Sequence, residues 1–253
     1  MTDRRQRQKE LRAQKRAVEQ KAASRQEFRR RIVIALLVGI SLVGSLLLLN
    51  LDVGDEDALP LGFTIFREQP TACEADAPPE WTPRSFEAPV DQGSIPNSAT
   101  IATSCGPIVI AFNPEAPETG NSFVFLARQG FYDGLVFHRV LDEFAIYAGD
   151  PEGNGTGGAG YSLTEELPPE GFIYEPGVVA MAEAGGTTSS QFFIVTGADA
   201  SVLNRSFSVL GTVTEGQDTI ETIVALPRTR SIGGAEESRP AETVYIESIT
   251  FTD

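Results

Sequence analysis

Short runs in which apolar and polar positions alternate make up most of the chain beyond residue 97. Residues 100–103 and 107–112 flank a Cys105-Gly106 turn and predict a β-hairpin. The further runs that predict strands lie at 178–182, 191–196, 207–213 and 242–251. Apolar residues recur at helical spacing in two stretches, 119–128 and 215–226. Thr119 is a candidate cap for the first of these helices.

The stretch from Phe137 to Tyr147 predicts two β segments that break at the polar pair Asp142-Glu143. This pattern places Arg139 on a strand, at the border of an apolar surface. A guanidinium there is either one half of a structural ion pair or a preorganised hydrogen-bond donor for a ligand. The spacing alone leaves both interpretations open.

The many strands, with only two well-separated helices, predict a mainly β domain over residues 97–253. A closed barrel is the architecture that leaves no sheet edge exposed. We therefore expect a barrel rather than an open sheet.

An uncharged apolar run of 18 residues, 32–49, precedes this domain. As a helix it would extend about 27 Å, close to the hydrocarbon core of a bilayer. Three arginines come directly before it and an acidic segment follows, which places the N-terminus in the cytoplasm. The pattern favours an uncleaved signal-anchor over residues 32–51, with the domain extracytoplasmic at the cell membrane. A cleaved signal peptide is the alternative.

The net charge of −15 is unevenly divided along the chain. Residues 1–31 hold 12 Lys and Arg against 4 Asp and Glu, and the remainder holds 8 against 31. The basic segment is rich in helix formers, so it predicts a helix at the cytoplasmic membrane surface. The strongly acidic remainder gives no reason to expect nucleic acid as a partner.

Residues 52–96 are acidic and contain seven prolines, which predicts an extended spacer with little core of its own. The two cysteines, Cys73 and Cys105, lie in the part expected to be exported, where disulfides form. A bridge would tie the spacer to the first strand of the domain, and two unpaired thiols are the alternative. Two cysteines and one histidine make a metal site improbable, so none is expected.

The glycine-rich segment 153–158 matches G-x-G-x-x-G by spacing only. A dinucleotide site needs a strand before this loop and a helix after it, and the acidic neighbours here would repel a pyrophosphate. The single histidine, His138, sits at a strand position, and the chain has no nucleophile elbow, so a serine hydrolase is not indicated. We expect no cofactor.

Several motifs occur in a fixed order between residues 131 and 194. They are Phe131-Tyr132-Asp133-Gly134, Phe137-His138-Arg139, Phe144, Ala148-Gly149-Asp150-Pro151, Gly155-Thr156-Gly157-Gly158 and Ser190-Gln191-Phe192-Phe193-Ile194. In this order and spacing they resemble the cyclophilin family of peptidyl-prolyl cis-trans isomerases. The resemblance implies an eight-stranded antiparallel barrel capped by two helices.

The resemblance also implies a site for a proline-containing peptide. Arg139 matches the catalytic arginine of the family, and Gln191 matches a glutamine that contacts the substrate backbone and helps to orient the site. The other matching positions are the proline-pocket walls Phe144, Phe193 and Leu203, the peptide-pairing segment Ala182, Glu183 and Ala184, and Gly155 beside the adjacent pocket.

Four positions depart from the family pattern. Ala145 stands where a methionine is usual, and Tyr147 where a glutamine normally braces the catalytic arginine. Phe207 replaces an expected histidine at the pocket floor, and Val202 replaces a common aromatic residue. The loop between Gly185 and Gln191 is also one residue shorter than the family's usual form. We expect this loop and Ala145 to lower activity or to shift peptide preference.

The resulting hypothesis is a membrane-anchored, extracytoplasmic isomerase that acts on X–Pro bonds of exported, unfolded polypeptides. One alternative is a proline-peptide binding module or chaperone with little or no catalysis, which Tyr147 and Phe207 would favour. A second alternative is a structural part of an envelope complex.

Overall fold

The structure of the chain, a computed structural model, describes residues 61–79, 81, 84–89, 94–184 and 187–253. Its strands are β1 (Ser98–Thr103), β2 (Gly106–Phe112), β3 (Arg139–Leu141), β4 (Ala145–Ala148), β5 (Val178–Ala184), β6 (Thr187–Val195), β7 (Val209–Glu215), β8 (Arg228–Arg230), β9 (Glu237–Pro240) and β10 (Ile246–Thr252). Its helices are α1 (Leu61–Glu68), α2 (Pro117–Arg128), α3 (Gln217–Ala225) and a 3-10 helix (Ala198–Val202).

Eight of these strands form one antiparallel sheet in the order β10-β1-β2-β7-β5-β6-β4-β3. The sheet curls, and residues 134–137, just before β3, are hydrogen-bonded to residues 244–246 at the start of β10. There Val136 bridges Tyr245, and the N–H of Phe137 donates to the carbonyl of Val244 at 2.9 Å. The expectation of eight antiparallel strands is confirmed, but the sheet is a curled half-barrel instead of a closed barrel, because β3 has only three residues and does not pair with β10.

The main core lies on one face of the curled sheet, under α2. Strand β1 alternates buried and half-buried positions, as its sequence predicts. Phe123 of α2 packs 4.9 Å from the ring of Tyr132 and 5.8 Å from that of Phe192. Phe192 faces this core, and its neighbour Phe193 belongs to a second cluster on the other face.

A distant carboxylate caps the N-terminus of α2. Glu166 accepts the N–H of Glu118 at 3.1 Å and the N–H of Thr119 at 2.7 Å. A negative charge at this end satisfies free N–H groups and is stabilised by the helix dipole. The prediction that Thr119 caps the helix is therefore wrong, because the helix begins at Pro117 and Thr119 lies inside its first turn.

The hairpin of β8 and β9 forms a separate two-stranded sheet that the hydrophobic pattern does not predict. Its strands read Arg-Thr-Arg and Glu-Ser-Arg-Pro, so they lack the alternating apolar residues by which the other strands are recognised.

The described residues before residue 90 form an N-terminal strap that packs against the domain. Phe66 is fully buried with Val136 and Tyr245. Trp81 is buried in the main core and donates its indole N–H to the carbonyl of Phe131 at 3.3 Å. The expectation of an extended spacer with little core of its own is wrong for these residues.

The strap is also tied to the domain by covalent and backbone bonds. A disulfide joins Cys73 to Cys105, the two candidates for a bridge. Ala72 donates to the carbonyl of Thr243 at 2.9 Å, and Thr243 donates back to the carbonyl of Pro70 at 2.7 Å. The strap therefore fixes the segment that leads into β10.

In the described ranges, no helix is both long and apolar enough to cross a membrane. The expected anchor at residues 32–51 and the basic segment 1–31 lie outside those ranges.

The strap should contribute to the stability of the whole domain. Replacing Phe66 by alanine removes a fully buried ring, so we expect the free energy of unfolding to fall by about 3 to 5 kcal/mol. Denaturant unfolding followed by the fluorescence of Trp81, the only tryptophan, measures this change. The matched control is Ile173→Ala, at a side chain that is 53% exposed, which should cost less than about 1 kcal/mol. If both variants lost the same free energy of unfolding, the result would show that the buried Phe66 ring does not help the strap to stabilise the domain.

Candidate active site

Three side chains that the strands align across the sheet form the centre of the site. Arg139 of β3 pairs directly with Tyr147 of β4, and Tyr147 pairs with Phe193 of β6. Residues that pair directly across antiparallel strands project on the same face. The Arg139 guanidinium lies 5.4 Å from the centre of the Tyr147 ring, and the Tyr147 and Phe193 rings are 5.5 Å apart. We call this set the cross-strand row.

Glu236 is a second partner of the guanidinium. This residue lies between β8 and β9, and its Oε2 accepts a hydrogen bond from Nη2 of Arg139 at 2.8 Å. The Arg139 side chain keeps 19% of its surface exposed, and that of Glu236 keeps 37%. Arg139 is thus ion-paired through one nitrogen and still reaches solvent. The interpretation as a structural ion pair therefore holds for that nitrogen, and the interpretation as a hydrogen-bond donor for a ligand stays a prediction.

The cross-strand row continues into a second hydrophobic cluster. Phe193 is buried at its centre, and the ring of Phe207 meets it edge-on at 5.3 Å and 87°. Tyr174 fixes this arrangement, because its hydroxyl donates to the Phe207 carbonyl at 2.7 Å and accepts the Phe207 N–H at 3.1 Å. The cluster contains the expected site residues Phe144, Ala145, Tyr147, Ala182, Phe193, Leu203 and Phe207.

Phe172 and Tyr174 complete this cluster and were missed by the sequence reasoning. Their rings lie 5.2 Å apart at 80°, and Tyr174 is fully buried. Their only signal in the sequence is the aromatic spacing Phe-Ile-Tyr after a turn-forming Pro-Pro-Glu-Gly.

Burial shifts the pKa values of Tyr147 and His138, two titratable neighbours of Arg139. It raises the pKa of Tyr147 to about 12, an effect that the Arg139 cation opposes and Glu236 reinforces. Burial lowers the pKa of His138, with Asp150 opposing this shift and Arg139 adding to it. Both side chains are therefore neutral at neutral pH, and Arg139 is the positive charge of the row.

Asp150 organises the glycine-rich loop beside the row. Its carboxylate accepts the N–H groups of Glu152 at 2.9 Å, Asn154 at 2.8 Å and Gly157 at 3.0 Å, and also that of Gly155. A side chain at Gly157 would collide with this carboxylate, which explains the glycine there. The loop is thus wound around a buried anion, in agreement with its interpretation as a tight loop rather than a phosphate cradle.

A cavity of about 340 Å³ opens between this loop and strands β5 and β6. It is lined on the sheet side by Gln191, Ala182 and Ala184, and its volume is in the range of small-ligand pockets. The Gln191 side chain donates to the carbonyl of Gly157 at 2.8 Å, so it is tied to the loop. Gly155 is not among the lining residues.

Comparison with known proteins decides the family. The family model for cyclophilin type peptidyl-prolyl cis-trans isomerase/CLD matches residues 98–251. The chain belongs to the cyclophilin family.

Its relatives and structural neighbours are cyclophilins as well. The probable peptidyl-prolyl cis-trans isomerase A of Mycobacterium leprae is 40% identical over 172 residues, which is 61% of this chain and 92% of the relative. The probable isomerase B of Mycobacterium tuberculosis is 34% identical over 198 residues, 72% of this chain and 62% of the relative.

A crystal structure of a Cryptosporidium parvum cyclophilin, determined in the presence of the dipeptide Ala-Pro, matches with a TM-score of 0.55 and 27% identity. The match covers 62% of this chain and 99% of that one.

Within this cyclophilin, two of the departures from the family pattern lie along the cross-strand row and its aromatic cluster, and Tyr147 is the one that contacts Arg139. Tyr147 takes the place of the bracing glutamine, and it offers a ring face instead of an amide. Phe207 takes the place of the histidine at the pocket floor, and it extends the aromatic cluster. The aromatic cluster thus carries phenyl and phenol rings where the family pattern has polar side chains, and the neighbouring arginine contacts a carboxylate and a ring.

The Asp150 carboxylate should be the main support of the loop beside the site. In the Asp150→Ala variant one buried and three part-buried N–H groups lose their acceptor, so we expect a loss of about 3 to 5 kcal/mol in the free energy of unfolding. Hydrogen exchange at Asn154 and Gly157 should accelerate as well. The matched control is Glu152→Ala, which removes a nearby carboxylate that accepts hydrogen bonds only from the exposed Asn154 and Thr156 side chains in the described part of the loop. Unchanged exchange at Asn154 and Gly157 in Asp150→Ala would contradict this account.

Proposed function

We propose that Arg139 of this peptidyl-prolyl cis-trans isomerase stabilises the twisted amide during the cis–trans isomerisation of X–Pro peptide bonds. The barrier to rotation comes from amide resonance and is about 18–20 kcal/mol. Twisting the bond returns the lone pair to the proline nitrogen, and a fixed hydrogen-bond donor there stabilises the twisted state more than the planar one.

The observation that carries this proposal is the placement of the Arg139 guanidinium at the edge of the aromatic cluster. The Tyr147 ring and Glu236 hold it there. Nε and Nη1 of Arg139 donate no hydrogen bond to any other described residue, so the guanidinium retains donors for a substrate.

The aromatic cluster offers a surface for the pyrrolidine ring of proline. We assign the pocket walls to Phe144, Phe193, Leu203 and Phe207, which lie together in this cluster. The structural neighbour determined with Ala-Pro supports a proline-containing peptide as the ligand class. No cofactor or metal is required by this chemistry, since the reaction makes and breaks no covalent bond.

The segment after Met181 is proposed to pair with the substrate backbone. Strand β7 pairs with β5 only as far as Ala180, and β5 continues past that point. An extended peptide could add to the strand beyond this pairing by β-augmentation. Ala182 and Glu183 would supply the backbone groups, and Gln191 would line the same groove.

We further propose that the substrates are exported polypeptides and that residues 32–51 anchor the chain in the cell membrane. The uncharged run at 32–49 and the arginines before it support the anchor. The Cys73–Cys105 disulfide supports an oxidising compartment for the domain.

The isomerase proposal is tested by NMR exchange spectroscopy on a short Ala-Pro peptide, with the detergent-solubilised full chain. Wild type should accelerate cis–trans exchange, and Arg139→Ala should reduce the catalysed rate by at least about 100-fold, because it removes the electrostatic stabilisation of the twisted state. Peptide affinity should change much less. A peptide that binds wild type without faster exchange would favour the proline-binding module instead, for which Tyr147 and Phe207 provide the reason.

The proposed location is tested by trapping thiols in intact cells with a maleimide that adds mass to free cysteines. The full chain should carry no maleimide without reduction, because Cys73 and Cys105 are joined in an oxidising compartment. A variant lacking residues 32–51 should stay in the cytoplasm and carry two. Two labelled thiols in the full chain would contradict export.

A further inference from the structure

We infer that Glu236 is a positioning residue for the isomerase reaction, in that its carboxylate fixes the Arg139 guanidinium where the substrate amide needs it. This inference rests on the proposed function. It assigns a role to a residue of the β8–β9 hairpin, an element that contributes none of the site residues expected from the family pattern.

The need for such a residue follows from the chemistry of Arg139. An arginine side chain has several rotatable bonds, and holding it in one rotamer costs up to about 2 kcal/mol of conformational entropy. A donor stabilises a transition state best when it is already in place and need not reorganise. The glutamine that braces this arginine in the family pattern is absent, because Tyr147 occupies its position. The face of the Tyr147 ring limits the distance of the guanidinium from the ring. It restrains rotation of the guanidinium within its own plane less well.

Glu236 supplies the missing in-plane restraint. Its Oε2 accepts a hydrogen bond from Nη2 of Arg139 at 2.8 Å, while the ring of Tyr147 lies 5.4 Å below Cζ. A hydrogen bond in the plane and a ring beneath together define both the position and the orientation of the guanidinium. Only one terminal nitrogen is used, so the remaining donors keep their geometry for the substrate.

The hairpin that carries Glu236 is fixed at its base on one side. Arg228, at the start of β8, makes a two-point ion pair with Asp142 in the turn between β3 and β4, with distances of 2.5 and 2.9 Å. This contact ties the hairpin to the strands that present Arg139 and Tyr147.

The other side of the hairpin is fixed by the N-terminal strap. Gln69 accepts a hydrogen bond from Arg239 of β9 at 2.5 Å and donates one to the carbonyl of Pro240 at 3.2 Å. Within the hairpin, the N–H of Ser231 donates to the carbonyl of Glu236 at 2.7 Å. Glu236 is thus presented from a docked turn whose backbone is held at its own position.

A blocking role is the opposite possibility, in which Glu236 would compete with the substrate for Arg139. The geometry favours positioning because the carboxylate meets only Nη2 and the Arg139 side chain remains 19% exposed. The two roles predict opposite signs for the effect of removing the carboxylate on catalysis, so one experiment separates them.

The experiment compares Glu236→Ala, Glu236→Gln, Glu237→Ala and Arg139→Ala with wild type, all as the detergent-solubilised full chain. Glu237 is the matched control, since it is the adjacent glutamate on the same hairpin and its side chain is exposed. For each protein, exchange spectroscopy on an Ala-Pro peptide gives the catalysed rate at saturating peptide, and peptide titration gives the affinity. Thermal unfolding checks the fold.

We expect Glu236→Ala to lower the catalysed rate at saturation by roughly 10- to 100-fold, since misplacement of a catalytic group by about 1 Å has this order of effect. Affinity and unfolding temperature should stay close to wild type. Glu236→Gln should recover most of the rate, because its amide oxygen can still accept the Arg139 hydrogen bond. Glu237→Ala should match wild type.

A second readout is independent of activity. Because the Glu236 charge helps to raise the pKa of Tyr147, the Tyr147 phenol should titrate at lower pH in Glu236→Ala and unchanged in Glu237→Ala, followed by the Tyr147 ring signals in NMR spectra. This shift reports the contact in solution whatever the catalytic outcome.

The possible results separate the two proposals. If wild type does not accelerate exchange, the isomerase function fails. If wild type is active and Arg139→Ala is not, but Glu236→Ala equals wild type, only the positioning role is overturned. A faster Glu236→Ala enzyme would overturn it in favour of a blocking contact.

Discussion

The contact of the Arg139 guanidinium with the face of the Tyr147 ring, 5.4 Å from Cζ to the ring centre, is the centre of the candidate site. This contact depends in turn on strand register. Arg139, Tyr147 and Phe193 are direct partners across β3, β4 and β6. A slip of one residue in any pairing would turn a side chain to the opposite face. Phe192 shows the consequence, because one position along β6 it lies in the main core rather than at the site. The packing of that core therefore holds the register that assembles the row.

The strap and the β8–β9 hairpin extend this dependence beyond the strands of the site. The disulfide and Phe66 hold the strap against the domain, and Gln69 of the strap contacts the hairpin. The hairpin then reaches Arg139 through Glu236. Residues that precede the family domain thus contact the hairpin that carries Glu236, the partner of Arg139.

Much of the fold could be predicted because its determinants are local. Alternation along β1 and helical spacing in α2 follow from which face each residue buries, and the motifs around Arg139 indicate the family. The chain's membership in the cyclophilin family, inferred from those motifs, is confirmed by the family model over residues 98–251.

The contacts that could not be predicted join residues far apart in sequence. Glu166 caps a helix 47 residues before it, and Glu236 pairs with an arginine 97 residues away. The chain contains many acidic residues, so nothing in the sequence distinguishes Glu166 or Glu236 from the other glutamates. Trp81 and Phe66 lie in a segment whose prolines and acidic residues suggest a spacer, and their burial arises only from tertiary packing.

The most direct measurement for the central claim is a crystal structure of the chain with an Ala-Pro peptide bound. The account predicts the proline ring on Phe193, with a guanidinium nitrogen of Arg139 within about 3 Å of the prolyl amide. Arg139 should still rest on Tyr147 and contact Glu236, as it does without peptide. A peptide bound away from this cluster, or an Arg139 that has left Tyr147 and Glu236 to reach it, would contradict the claim that the site is preorganised.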